Sequence, residues 1–287
     1  MPERDLDLDD GRTLRVHDTA TGGRLPVFWH HGTPNVGPPP APLFELSERL
    51  GLHWVGHDRP GYGGSTPQPG RSVGSVAADA AAVADALGFD HFAVVGHSGG
   101  GPHALACAAL LRDRVSAVVC IAGLAPRDAA GLDWYAGMGS ADVASLRAAE
   151  AGRQARLAHE DMTGTADDPP LPADERALAG PWGWLRSVTG PDAGAGLDGL
   201  VDDEVAFVTA WGFDPAGIAA PVLLLHGADD PVVPSTHSRW LARRCPTAEL
   251  WIRPSEGHVS VLEGAGTALE WLVSAWPDGS QMSGTGG

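Results

Sequence analysis

The chain has 287 residues, of which 43% are hydrophobic and 19% charged, and its formal net charge at pH 7 is −17. This is a globular composition long enough for a sizeable core, and a field so negative argues against a nucleic-acid partner. All 19 basic residues are arginine, which removes Schiff-base and pyridoxal-phosphate lysines, a Ser-Lys dyad and the P-loop lysine at once.

The three cysteines, Cys107, Cys120 and Cys245, are odd in number and show no ligand spacing, so neither a disulfide framework nor a zinc site is expected. The first ten residues are acidic and lack an apolar core, unlike a signal peptide. No apolar run approaches the ~18 residues of a membrane span, so a soluble, cytoplasmic protein is expected.

In chain order, short apolar runs alternate with Ala-rich helical segments. Strands are predicted at 14–17, 25–30, 53–57, 92–96, 115–122, 221–226 and 249–253, and helices at 75–87, 101–111, 235–244 and 259–276. Strands separated by helices imply a mainly parallel sheet with helices on both faces. Residues 1–123 and 216–276 therefore read as an α/β core. The stretch 124–215 breaks the rhythm, with helical pieces at 141–157, 173–178 and 201–211 and loops at 169–172 and 194–199. It holds four of the ten tryptophans and reads as a helical insertion lying over the sheet. The tail 277–287 reads as disordered.

Gly96-His97-Ser98-Gly99-Gly100 fits G-x-S-x-G and lies between a predicted strand and a predicted helix. In that setting the chain turns sharply, the serine backbone is strained, and the serine hydroxyl projects outward. The N–H of Gly99, with the helix N-terminus behind it, would point at a developing oxyanion. Gly99, Gly101 and Ala104 also satisfy a dinucleotide fingerprint, G-x-G-x-x-A. That reading needs an acid at the end of the next strand, and Ile121-Ala122-Gly123 supplies none. No cofactor is expected.

His31-Gly32-Thr33-Pro34 follows a strand, and Thr33 can supply a second oxyanion N–H. His30 and His31 are neighbours on a strand and face opposite ways, so no metal site is read there. Asp229 and Asp230 follow the strand at 221–226, where a carboxylate can orient a histidine. Gly257-His258 follows the strand at 249–253. The order Ser98, then acid, then His258 is that of α/β-hydrolases and differs from the chymotrypsin and subtilisin orders.

From about Leu14 to Trp276 the chain resembles the α/β-hydrolase superfamily. The matching pieces are HGTP (31–34), DRPGYGGS (58–65), GHSGGG (96–101), GADDPVVP (227–234) and GH (257–258). The resemblance implies a parallel eight-stranded-type sheet with a helical cap. It selects Asp230 over Asp229 as the acid and leaves Asp128 as a minor alternative. Epoxide hydrolases and haloalkane dehalogenases are similar in cap and in HG-x-P but carry aspartate at the elbow. Ser98 here implies acyl transfer, with His258 as base and Asp230 as its partner.

The expected substrate is a small ester, lactone or related carbonyl compound with an apolar acyl or alkyl portion. A C–C or amide hydrolase, a cofactor-free oxygenase and a non-catalytic small-molecule receptor remain open. His97 is expected to pack or hydrogen-bond beneath the site, and Asp58 and Arg59 to brace it. His57, His103 and His226 are expected to be satisfied structural groups. Asp202-Asp203-Glu204 reads as a solvated helix start. The tryptophans of the insertion are expected mostly in its core, one or two lining an acyl pocket.

Overall fold

The computed structural model describes residues 1–20, 22–163 and 171–276; the predicted tail at 277–287 and part of the loop at 169–172 lie outside them. Strands form where β-branched and aromatic residues run between turn residues. They are β1 (Glu3–Asp7), β2 (Thr13–Asp18), β3 (Leu25–His30), β4 (Leu52–His57), β5 (Phe92–His97), β6 (Val115–Ile121), β7 (Val222–Gly227) and β8 (Ala248–Arg253). Among the described residues they make one eight-stranded sheet in the order β1-β2-β4-β3-β5-β6-β7-β8. The pairs β1–β2 and β2–β4 are antiparallel and the rest are parallel.

Alternate side chains of the central strands feed two cores. Phe28, Val94, Val118, Cys120 and Leu224 face one side, with α2 (Val76–Leu87), α3 (Gly100–Leu110) and α8 (Thr236–Arg244). Val27, Trp29, Ala93, Val95, Val119, Leu223 and Leu225 face the other, with α1 (Phe44–Leu50) and α9 (Ala265–Ser274). The expected α/β class with helices on both faces is therefore what forms. Burial on both faces explains why these strands are continuously apolar.

Several expectations need correction. The acidic N-terminal segment forms β1, an edge strand on which only Leu6 is half-buried, so it lacks the apolar alternation that reveals a strand. The helical piece at 141–157 is two helices, α4 (Ser140–Glu150) and α5 (Arg153–Thr163), broken at Gly152 with φ +101. The closing helix is a 3-10 turn, Ser260–Gly264, followed by α9.

Between β6 and β7 the insertion also carries α6 (Pro172–Ala179), a 3-10 turn (Pro181–Ser187) and α7 (Leu197–Val208), so the loop predicted at 194–199 ends at 196. Trp134 and Trp211 lie in the first core, and Trp182 in the second. Trp184 is half-buried and meets Trp29 edge to face, with ring centroids 6.5 Å apart. These aromatics tie the insertion to both faces of the sheet. Among the described residues no helix is long and apolar enough to cross a membrane.

Candidate active site

The turn from β5 into α3 holds Ser98 at φ +54, a left-handed conformation that costs a non-glycine residue about 1–3 kcal/mol. Main-chain bonds hold it there. Ser98 N–H donates to the Ile121 carbonyl at 2.9 Å, and Gly101 N–H donates to the Ser98 carbonyl at 2.9 Å. The turn is tight enough to demand glycine. A Cβ on Gly96 would fall 2.2 Å from the Gly100 carbonyl oxygen, and one on Gly100 would fall 1.9 Å from that of His30.

His258, in the turn after β8, reaches Ser98 Oγ through Nε2 at 2.8 Å and Asp230 Oδ2 through Nδ1 at 2.8 Å. A carboxylate only accepts, so Nδ1 carries the hydrogen and Nε2 is left to accept from the Ser98 hydroxyl. Asp230 is fixed in turn, with Oδ1 accepting from Val232 N–H and Val233 N–H at 2.9 Å each. Burial pushes its carboxyl pKa up, but the electrostatic pull and hydrogen bonding of the His258 ring, and of His226 Nε2 at 3.3 Å, outweigh this and hold it well below the usual carboxylate range. Burial likewise opposes a charge on His258, yet Asp230 prevails and raises this imidazole above its ordinary value. Asp229 and Asp128 are exposed, and no bond joins either to His258.

His97 Nε2–H donates to the His258 carbonyl at 3.0 Å, which is the expected place beneath the site. Burial and the neighbouring His258 press its pKa down to about 3, so it stays neutral. His226 donates from Nε2 to the Val233 carbonyl at 2.7 Å and accepts at Nδ1 from Ser238 Oγ at 2.6 Å. His103 sits between the Val73 carbonyl and Asp203. His57 departs from expectation, because neither ring nitrogen has a partner among the described residues. Burial holds its pKa at about 4 and keeps it neutral.

The second wall of the site is the turn after β3. A Cβ on Gly99 would meet Thr33 Oγ1 at 2.3 Å, and one on Gly32 would lie 3.6 Å from Ser98 Cβ, so Thr33 and Gly99 flank the serine. Arg59 holds this turn: it donates to the His31 and Gly32 carbonyls and to Thr33 Oγ1, and its own N–H donates to His31 Nε2. Asp58 accepts from His17, Gly37 N–H and Gly64 N–H, so this pair braces the site as expected.

The anchor of Arg59 is a residue whose role was misread. Asp203 lies within α7, fully buried, and is not a solvated helix start. It accepts from Thr33 Oγ1 (2.6 Å), Arg59 Nη2 (2.6 Å) and Tyr62 Oη (2.9 Å), and it pairs with Arg71 Nη2 (2.6 Å). Burial opposes its ionisation, but Arg59 and Arg71 outweigh that and hold the carboxyl well below its usual range. The sequence did carry a signal. Gly199, Asp203 and Ala206 follow helical spacing along the buried stripe, where an apolar residue is the norm.

A second buried acid was also missed. Asp174, on α6, accepts from the backbone N–H groups of His258, Val259 and Ser260. A cleft of about 520 Å³ lies where the insertion rejoins the core, lined among others by Trp211, Phe213 and Trp240, and it includes none of Ser98, His258 or Asp230. Among the described residues no three His, Cys, Asp or Glu side chains converge so as to hold a metal ion.

The sequence model of the alpha/beta hydrolase fold matches residues 26–265. A non-heme chloroperoxidase of Streptomyces lividans is 31% identical over 232 residues, covering 78% of this chain and 81% of its own. A bifunctional esterase/perhydrolase of Acinetobacter calcoaceticus is 31% identical over 230 residues with the same coverage. In structure the chain is similar to an enol-lactonase of Burkholderia xenovorans, with TM-score 0.67, 19% identity, and 95% of this chain and 99% of that one covered. It is also similar to a thermophilic esterase of Thermogutta terrifontis, with TM-score 0.65, 21% identity and coverages of 96% and 100%. The family match spans most of the sequence, and the sheet order and elbow agree with it: the chain belongs to the α/β-hydrolase fold family.

Proposed function

We propose that the protein is a serine hydrolase that cleaves a carboxylic ester, lactone or related carbonyl substrate through an acyl-enzyme. The observation that carries this is the Ser98–His258–Asp230 relay, with both bonds at 2.8 Å and the serine held at positive φ. His258 Nε2 takes the Ser98 proton as Oγ attacks the substrate carbonyl carbon. The N–H groups of Gly99 and Thr33 receive the oxyanion, each donor contributing about 3 kcal/mol to the barrier reduction. His258 then gives its proton to the leaving oxygen. A water, deprotonated by His258, releases the acyl group and restores Ser98.

The insertion at 124–215 acts as the cap in this reading, and an apolar acyl or alkyl portion of the substrate lies beneath it. Phe207 supports this, since its ring edge is 2.9 Å from where a Cβ on Gly99 would stand. A cytoplasmic enzyme with a small-molecule substrate fits the same picture.

The test needs no substrate. A fluorophosphonate probe should form a stoichiometric adduct that mass spectrometry maps to Ser98 and that the Ser98→Ala variant lacks. A folded wild type that takes no adduct would overturn the activated serine. A panel of esters and lactones then defines the bond.

The acid has its own test. Asp230→Asn should lower kcat by at least about 10³-fold, because it leaves His258 in the wrong tautomer, whereas Asp229→Asn should stay within about threefold. The reverse order would refute the assignment.

The relatives favour a second reading of the same site, because one is named an esterase/perhydrolase. Hydrogen peroxide in place of water would attack the acyl-enzyme, yielding a peracid and free Ser98. Peracid formation in the presence of added peroxide, absent in Ser98→Ala, is the readout.

A further inference from the structure

We propose that Asp174, carried by α6 of the insertion, is a positioning residue for His258, so that the imidazole is set for its task only while the insertion is seated on the core. The inference rests on the hydrolase reading above for what His258 does, and its structural part stands independently of that reading.

Asp174 is buried and spends both oxygens on one short segment. Oδ2 accepts from His258 N–H at 3.1 Å. Oδ1 accepts from Val259 N–H at 3.1 Å, from Ser260 N–H at 2.8 Å and from Ser260 Oγ at 2.8 Å. Ser260 Oγ in turn accepts from Gly257 N–H at 2.7 Å. These donors lead into the 3-10 turn at 260–264, where the first N–H groups of a helical turn have no partner within it. The usual solution is a capping side chain next to them in sequence. Here the cap comes from a residue 84 positions away from His258, on a different structural layer.

The main chain of His258 is thereby gripped on both sides. Asp174 takes its N–H, and His97 Nε2–H holds its carbonyl. The packing leaves no slack, since a Cβ on Gly257 would lie 2.5 Å from Asp174 Oδ2. The opposite wall of the site is held in a parallel way, by Asp203 of α7 through Thr33 and Arg59. The insertion thus supplies one buried carboxylate to each of the two turns that flank Ser98.

Asp174 also contributes charge. The groups that act on the His258 ring are Asp230 from the turn after β7, Asp174 from α6, Asp142 from α4 and His97 from β5. Burial opposes its protonation, Asp230 favours it most, and Asp174 and Asp142 add in the same direction.

The experiment compares wild type with Asp174→Asn and with Gly257→Ala, which drives a methyl group against the carboxylate from the other side. The His258 imidazole is titrated by NMR in each, so the readout does not depend on turnover. Asp174→Asn should titrate at lower pH than wild type. For an ester that the wild type cleaves, its kcat should fall roughly 10–100-fold with KM changed less than about threefold, as expected when a catalytic group is displaced by a fraction of an ångström. Gly257→Ala should lose kcat similarly, and the fluorophosphonate should label both variants more slowly. If Asp174→Asn keeps the wild-type titration and kcat, the proposal is wrong. If it loses only thermal stability, with the His258 titration and kcat intact, Asp174 merely secures α6 and the proposal again fails. Should Asp174→Asn not fold, Gly257→Ala with wild-type kcat and titration would overturn it alone. A wild type that takes no probe would sink the hydrolase reading, while a displaced His258 titration in the variants would still sustain the contact.

Discussion

Ser98→Ala should lower kcat on an activated ester by at least about 10³-fold, a loss of about 4 kcal/mol in transition-state stabilisation, while the protein melts within a few degrees of wild type. The size follows from what remains. With Oγ gone, no covalent intermediate forms, and only the N–H groups of Thr33 and Gly99 act on the carbonyl. The fold should tolerate the change because Ser98 is held by its own main chain, through Ile121 and Gly101, and among the described residues its side chain bonds His258 alone.

The pH dependence of the wild type is part of the same expectation. The proposed mechanism needs neutral His258, and Asp230 raises that imidazole above its ordinary value against the opposing effect of burial. Activity should therefore fall as pH drops through an apparent pKa above that of an ordinary imidazole. Steady-state kinetics over a pH series measures both effects. Ser98→Ala activity within tenfold of wild type would dismiss nucleophilic catalysis at this residue and turn attention to the oxygenase and receptor readings.

The largest effect on stability is expected at Asp203. Asp203→Asn should destabilise the fold by about 3–5 kcal/mol, because it leaves the guanidinium groups of Arg59 and Arg71 buried without a counter-charge. Those side chains are 1% and 2% exposed, so water cannot take over the lost pairing. The melting temperature should fall by roughly 10 °C. Glu45→Gln is the control. It also breaks an arginine pair, but Glu45 and Arg49 are 92% and 60% exposed, and such a pair contributes less than about 0.5 kcal/mol.

The acid dependence has a definite sign. A carboxyl whose folded pKa is depressed contributes stability fully above its unfolded value, near 4, and loses it as pH falls toward the depressed one. The Asp203 contribution is therefore complete at neutral pH and disappears only in acid. Activity should suffer as well, since Thr33 and Arg59 both lose their anchor. An Asp203→Asn protein that melts with wild type would show that the two arginines find other partners and that this reading of the cluster is wrong.

Much of this was legible along the chain because it is written locally. β3, β5, β6 and β7 declare themselves by short runs buried on both faces, since the alternation that feeds two cores leaves no polar position between. The elbow shows because a turn this tight admits only glycine at 96 and 100, and those glycines are visible without coordinates. Ser98, His258 and Asp230 could be singled out because each sits just past a strand end, in a known order. The choice between Asp229 and Asp230 is a matter of which carboxylate turns inward, and the fold places Asp230 inside with the other exposed.

What no local pattern contains is the support of the site. The spacing of Asp203 with Gly199 and Ala206 hints at a buried stripe, but neither it nor Asp174 shows in the sequence which groups it faces, because that is set by what lies opposite. Opposite Asp203 stand Arg59 and Arg71, more than a hundred positions earlier, and opposite Asp174 stand the bare N–H groups of the His258 turn. β1 escaped for the complementary reason, since an edge strand with a single inward leucine has no apolar rhythm to show. The candidate reacting groups can thus be picked out from short segments and their order. Their mutual distances, the state of their protons and the burial that gives their charges force come from packing chain segments far apart in sequence, and those only the tertiary structure decides.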